Sequence, residues 1–307
     1  MSIGLYAQHK QSMIDKIKSK QDVAQFLKTI DAEHFDKFSI FKTDKTPKEY
    51  RVVKDCIYSN NYYKIDFNKD GATDLLIDAQ LLLVIIDKGN NTFQINNIDN
   101  CEGVSPGYSL QAIDTAYSQL IVTKLGYTYD IPDTSKLRLV YKFNHIIAFN
   151  DSPSNIPIQS LKINFGGCFG FCPEFEMNIT QDRIVIYTAV NNNERTGVYK
   201  TTLSEYDWKM LCDLLNYINF VTLNDSYHVN WTDDATTTIS IHYNSNKNKR
   251  IHDYGQQGTI GLEALYSTIL LWRKTQNWEF VEKIDGIPVE KTPFHTSGSP
   301  PSKYLVD

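Results

Sequence analysis

Ser160-Leu-Lys-Ile-Asn-Phe-Gly-Gly-Cys-Phe-Gly-Phe-Cys-Pro-Glu-Phe-Glu-Met-Asn-Ile179 is the stretch whose reading decides the fold. Residues 160–165 and 174–190 have strand character. Between them, Gly166 to Pro173 is built from turn formers, so the two runs predict a hairpin. Glycine tolerates positive φ and Pro173 has its φ fixed, which suits a sharp reversal. Beyond the hairpin, Ser204 is placed to cap a helix with Trp208, Leu211, Leu215 and Ile218 on one face. Residues 235–243 alternate, 244–249 form a polar turn and 250–254 return as a strand. Residues 259–275 predict a second amphipathic helix, with Leu262, Leu265, Ile269 and Trp272 on one stripe.

The N-terminal half reads in the same way. Ser19 caps a helix bearing Val23, Phe26, Leu27 and Ile30. Residues 50–67 suit strands, and 74–77 and 81–87 read as short buried strands. Lys88-Gly-Asn-Asn91 is a turn before a returning strand at 92–98. Residues 110–125 do not choose between the two periods, and a helix is the expectation there. Residues 137–149 read as a strand. Asp151-Ser-Pro-Ser-Asn-Ile-Pro157 has the composition of a linker. The resulting division is a terminal segment 1–9, an N-terminal domain 10–150, a linker 151–158, a C-terminal domain 159–284 and a tail 285–307. The tail holds four of the ten prolines. Strands and helices come in runs rather than in strict alternation. The expected class is therefore α+β, two domains, each a mainly antiparallel sheet packed with one or two helices.

Composition fits this division. The 307 residues suit two domains at about 150 residues each. Nineteen Tyr, fifteen Phe and four Trp can bury a large core, which excludes disorder along the whole chain. A formal charge of -5 argues against a nucleic-acid binder that works by phosphate neutralisation. No run of 18 apolar residues is present, so no transmembrane helix is expected. The opening Ile3-Gly-Leu-Tyr-Ala-Gln8 looks like the tail of a bacterial export signal cut after Ala7, the start of that signal being absent. The expected location is thus the periplasm, the outer membrane or the exterior.

Asp66-Phe-Asn-Lys-Asp-Gly-Ala-Thr-Asp74 places side-chain oxygens at loop positions 1, 3, 5 and 9, with Gly71 at position 6. Asp66, Asn68, Asp70 and Asp74, with the backbone carbonyl of Ala72, form a candidate Ca²⁺ ligand set. The loop resembles the Asp-x-Asn-x-Asp-Gly-x-x-Asp loops of FG-GAP-type and dockerin-type segments. A helix-loop-helix hand is excluded, because position 12 is Ile77 and the flanks are strand-like. The other reading is an Asx-rich turn with solvated carboxylates.

Cys168 and Cys172 lie four positions apart. A structural disulfide shaping a tight turn, a metal site, a redox pair and two buried thiols all remain open from spacing alone. Cys56–Cys101 is a second pairing that rests only on both lying in the N-terminal half. Cys212 falls in a helical pattern as a small hydrophobe. Residues 160–282 resemble an uncharacterised bacterial domain family, met mostly in exported proteins and lipoproteins of Bacteroidetes. The resemblance is carried by Cys168-Phe-Gly170-Phe-Cys172-Pro173, Phe220-Val-Thr-Leu223-Asn-Asp225-Ser-Tyr227, Asp233-Asp234-Ala-Thr236-Thr-Thr238 and the closing helix 259–275. Gly166-Gly167 departs from the family's more usual polar residue and Pro. The resemblance implies no activity, substrate or catalytic residue.

The chain has no Gly-x-Ser-x-Gly elbow, no P-loop and no His-Glu-x-x-His. Asp225, His228, Asp233 and Asp234 are the one cluster with general acid/base chemistry. Two functions follow as expectations. The first is a non-enzymatic binding protein of the cell envelope with a structural calcium site, its partner a protein or a glycan. The alternative is a periplasmic hydrolase using that Asp/His cluster.

Overall fold

The structure, a computed structural model, describes residues 11–35, 40–41, 59–79, 81–98, 107–125 and 136–284. Two compact units divide between Phe149 and Asn150.

In the first unit, a 3₁₀ turn at Ile14–Lys16 precedes α1 (Lys20–Ile30) and α2 (Ala32–Phe35). The Ser19 hydroxyl accepts from Asp22 N at 3.1 Å and caps α1, a bond that contributes about 1 kcal/mol. Strands β1 (Asn61–Ile65), β2 (Asp74–Asp78), β3 (Leu82–Asp87) and β4 (Phe93–Asn97) form an antiparallel sheet in chain order. Val23, Phe26 and Leu27 of α1 and Phe35 of α2 share one core with Leu75, Ile77, Leu83 and Ile85. Leu76, Val84 and Ile86, on the opposite face, are also fully buried. A sheet covered on both faces explains why 82–86 is a continuous apolar run.

A second antiparallel sheet follows: β5 (Gly107–Asp114), β6 (Gln119–Leu125), β7 (Lys136–Lys142) and β8 (His145–Ala148). The Tyr141 hydroxyl donates to Gln94 Oε1 at 2.8 Å and the Ser118 hydroxyl to the Asp66 carbonyl at 2.7 Å, tying this sheet to the first. The helix expected over 110–125 is corrected to the β5–β6 hairpin. A register shift between Leu110 and Ala112 breaks the alternation there, which hides a strand from a two-residue period. No helix occurs among the described residues of 107–148, so this half is richer in strand than the expected sheet with one or two helices. Cys56 and Cys101 lie outside the described residues, as does the tail from 285.

The second unit is one eight-stranded sheet in the order β13-β15-β14-β9-β10-β11-β12-β16. Its strands are β9 (Ile158–Phe165), β10 (Glu174–Thr180), β11 (Ile184–Asn191), β12 (Gly197–Thr202), β13 (Ser226–His228), β14 (Thr236–Tyr243), β15 (Lys247–Tyr254) and β16 (Glu279–Glu282). Every pairing is antiparallel except β13 with β15. Helices α3 (Glu205–Tyr217) and α4 (Ile260–Thr275) are capped by Ser204, whose hydroxyl accepts from Asp207 N at 3.0 Å, and Thr259, which accepts from Leu262 N at 3.1 Å. Leu161, Ile163 and Phe165 are buried, as are Phe175, Met177 and Ile179. The residues between them face outward, where Lys162 pairs with Glu176 at 2.9 Å. One aromatic from each of β9, β10, β11, β12 and β16 forms a ladder that is buried through the first four strands and exposed at Phe280. Centroid distances are 4.6 Å for Phe165–Phe175, 5.5 Å for Phe175–Tyr187, 6.1 Å for Tyr187–Tyr199 and 5.6 Å for Tyr199–Phe280. Tyr266 of α4 meets Phe165 edge-on at 5.9 Å.

The stretch with linker composition is strapped down. The Tyr217 hydroxyl accepts from Asn150 N at 3.0 Å, and Asn216 Oδ1 accepts from Ile156 N at 2.8 Å. Asn219 Oδ1 accepts from Ser154 N at 2.8 Å. Residues 150–156 therefore satisfy the exposed C-terminal turn of α3, and β9 begins at Ile158.

Candidate functional site

The acidic loop joins β1 to β2. Asp66 Oδ2 accepts from Gly71 N at 2.9 Å and Oδ1 from Asp70 N at 3.2 Å. Asn68 Oδ1 also accepts from Asp70 N, at 3.1 Å, and Asp70 Oδ1 from Ala72 N at 2.7 Å. Gly71 turns at φ +89° with open space where a Cβ would stand. Asp74 is fully buried. Its two oxygens accept from Phe67 N and Asp87 N, both at 2.8 Å, clamping the loop's start to the end of β3. Burial pushes the Asp74 carboxyl up to about 6, against the pull of those two N–H groups, and the charges of Asp70 and Asp66 push the same way. Burial also lowers the Lys88 ammonium, which Asp74 and Asp70 partly restore. Lys88 Nζ donates to the Tyr141 hydroxyl at 2.6 Å.

The donor set has the hard oxygens that Ca²⁺ takes. As arranged, the side-chain oxygens accept from backbone N–H groups of the loop and of Asp87, and Asn68 Nδ2 donates to Asp70 Oδ2 at 2.8 Å. Among the described residues no three His, Cys, Asp or Glu groups converge as metal ligands.

The turn between β9 and β10 is closed by a disulfide, Cys168–Cys172, with the Cα atoms 5.6 Å apart. Three residues must bridge that short gap, so they bulge away from the sheet. Phe169 and Phe171, at alternate positions of the bulge, are 89% and 87% exposed. Their neighbours in sequence, Phe165 and Phe175, are directly paired across the strands and buried. The turn is held from two sides. Phe169 N donates to the Asp233 carbonyl at 3.1 Å, and Asn192 Nδ2 donates to the Cys172 carbonyl at 3.1 Å. Asn193 Nδ2 donates to the Glu174 carbonyl at 2.8 Å.

The Asp/His cluster is dispersed. Asp225 Oδ1 pairs with Lys249 Nζ at 2.5 Å, with the carboxylate 85% exposed. Asp234 Oδ2 accepts from Trp231 Nε1 at 3.1 Å and its Oδ1 from Ala235 N at 2.8 Å. Asp233, at φ +74°, accepts from the Thr232 hydroxyl at 3.2 Å. His228 ends β13 exposed, and no hydrogen bond joins it to any of the three carboxylates among the described residues. A general base oriented by a carboxylate is not assembled in this arrangement. Cys212, half-buried on α3, is free, and burial pushes its thiol up to about 12, away from nucleophilic use.

Sequence reasoning missed the exposure of Phe169 and Phe171. The alternation that marks buried strand residues stops at the turn, and two cysteines at its base were the available signal. It also missed the support beneath the turn. Buried Arg273 of α4 donates to Asn193 Oδ1 at 3.1 Å, and the buried Tyr187 hydroxyl donates to the same oxygen at 3.0 Å. Arg273 also ion-pairs with Glu194 at 3.1 Å, at an angle too poor for a hydrogen bond.

Residues 159–272, from β9 into α4, match the model of a family described as a domain of unknown function, DUF6438. No curated protein matches the chain. No helix among the described residues is long and apolar enough to cross a membrane.

Proposed function

We propose that the protein is an exported, non-enzymatic binding protein of the cell envelope that contacts its partner through the Cys168–Cys172 turn. The observation that carries this reading is the pair of Phe rings, 89% and 87% exposed, on a covalently closed turn. Single exposed apolar residues are ordinary, but two on one pinned turn form a patch of the kind that marks an interaction site. Burying each ring would contribute about 1.5–3 kcal/mol. Disulfides persist in oxidising compartments, which supports export. The partner is a protein, with a glycan as the other class.

The acidic loop completes the reading as a weak structural Ca²⁺ site, with Asp66, Asn68, Asp70, Asp74 and the Ala72 carbonyl turned onto the ion. Its support is the register of hard donors about Gly71, and its affinity would be on the order of 0.1–1 mM, as in extracellular modules. The hydrolase reading gains no support from the dispersed Asp225, His228, Asp233 and Asp234.

The test is the double variant Phe169→Ala/Phe171→Ala expressed in the source cells. It should fold with an unchanged Tm and leave the envelope complex that holds the wild type. Alkylation before reduction should leave Cys168 and Cys172 unmodified. A variant that stays in the complex, or free thiols at both positions, overturns the reading.

A further inference from the structure

We propose that Phe169 and Phe171 are anchor side chains for a protein partner that offers an apolar cleft rimmed by Lys or Arg. This rests on the binding reading above and names the chemistry of the partner.

Shape is the first argument. Small ligands and cofactors bind in concave sites that surround them. The turn is convex, with both rings almost wholly in solvent. Rings presented in that way fill a pocket on another molecule, as buried aromatic anchors do at protein interfaces.

Charge is the second. Three segments build the tip: 166–174, 190–193 and 229–236. Their contacts are Phe169 N to the Asp233 carbonyl at 3.1 Å, Gly166 N to the Thr236 carbonyl at 2.8 Å and Asn191 Nδ2 to Glu174 Oε2 at 2.8 Å. The segments carry Glu174, Asp233 and Asp234 and contain no Lys, Arg or His. Glu194, Arg195 and His228 flank these segments and leave the rim net negative, and such a rim is repelled by the anionic surface of a phospholipid bilayer. It complements a basic rim on a protein and would steer that protein's approach.

Rigidity is the third. The disulfide closes the base, and Asn192 and Asn193 bond the Cys172 and Glu174 carbonyls. Asn193 is itself held by Tyr187 and Arg273, both buried beneath the sheet's edge of the turn. A turn ordered before contact loses little conformational freedom on binding, which favours an anchor over an adaptable loop.

The test places the photo-cross-linking residue p-benzoylphenylalanine at position 171 of the full chain in the source cells. A second chain carries it at 169, and a control carries it at the exposed Phe280 of β16. The expected result is one protein adduct from 171 or 169 that the control does not give, mapping to apolar residues flanked by Lys or Arg. With that protein purified, Phe171→Ala should weaken binding about 30-fold, the scale of an interface hot spot. Asp233→Asn, Glu174→Gln and a rise in NaCl from about 0.05 M to about 0.5 M should each weaken it several-fold. Adducts on phospholipid, on a glycan or on a second copy of this chain overturn the inference, as does a partner site without basic residues or binding indifferent to salt. Those outcomes leave a binding turn in place. The absence of any specific adduct from both positions overturns the binding reading together with the inference.

Discussion

The loop at 66–74 and the turn at 166–173 are both short connections between antiparallel strands, and they direct their side chains in opposite ways. In the first, the polar groups of Asp66, Asn68, Asp70 and Asp74 fold inward onto backbone N–H groups. In the second, backbone and disulfide hold the shape, and the two Phe rings point out. A loop whose side chains satisfy its own backbone must give up some of those bonds before it can hold a ligand. A loop closed by covalent and main-chain bonds leaves its side chains unemployed and available. The residues with the most evident chemistry in a sequence can therefore be the least free in the fold.

The comparison is most exposed at Asp74. Replacing Asp74 with Ala leaves Phe67 N and Asp87 N buried without an acceptor, and should cost about 2–4 kcal/mol in urea unfolding. An unchanged midpoint would mean that the inward bonds do not hold the loop. Calcium is the next lever. At about 100 times Kd the ion should add about 2.7 kcal/mol, seen as a Tm rise over EDTA that Asp70→Ala abolishes. A loop that ignores calcium is a polar turn only, which sharpens the contrast. Replacing Cys168 and Cys172 with Ser should cost about 2 kcal/mol on the chain-entropy estimate for a five-residue loop. A negligible loss would shift the credit for that turn's shape to its hydrogen bonds.

A smaller effect comes from protons. Burial, reinforced by Lys88, depresses the His145 ring to about 4 from 6.5. The folded state then disfavours the proton, so the neutral ring's contribution is complete above pH 6.5 and is lost as pH falls toward 4. About 1–2 kcal/mol is expected across that window, given a ring that is only partly shielded. Asp74 works in the opposite sense, because a raised carboxyl favours the protonated folded state. The measurement is accordingly the stability difference between wild type and His145→Gln, which should shift by that amount between pH 6.5 and 4 if the ring is the cause and stay flat if it is not. Smallest of all, Phe169→Ala/Phe171→Ala should change stability by less than about 0.5 kcal/mol. A large loss would mean that the rings pack somewhere, and the outward half of the comparison would fail.

Much of the second unit was legible because local signals and long-range packing agree there. Ser204 caps where its spacing to the apolar stripe indicates, the second helix forms over the stripe at 260–275, and Thr236–Tyr243 alternates within the sheet. The Gly-Cys segment lies between paired strands for the same reason. Strands β12, β13 and β16 were not legible. β13 and β16 are short and gain their identity from neighbours distant in sequence, as Ser226–His228 does from His252–Tyr254, whereas β12 pairs with the preceding β11 but carries only a weak apolar alternation in Gly-Val-Tyr-Lys-Thr-Thr. The bulge at Leu110–Ala112 erased the period of β5. The Asp225–Asp234 cluster looked like chemistry because proximity in sequence stood in for proximity in space. The fold gives Asp225 to Lys249 and Asp234 to Trp231.

The ends of the large sheet have a consequence for the cell. Eight hydrogen-bonded strands would offer two rows of open N–H and C=O groups on which further chains could polymerise. Its outermost members are its two shortest, β13 with three residues and β16 with four. The sequence of β16 is Glu-Phe-Val-Glu, so a carboxylate stands at each end of the exposed margin. A chain cut before Glu279 would bare the six residues of β12 as a template and expose one flank of the aromatic ladder at Tyr199. Residues 279–282 thus act as a stopper on fibre growth, and their loss should convert a well-behaved protein into an aggregating one without touching its core.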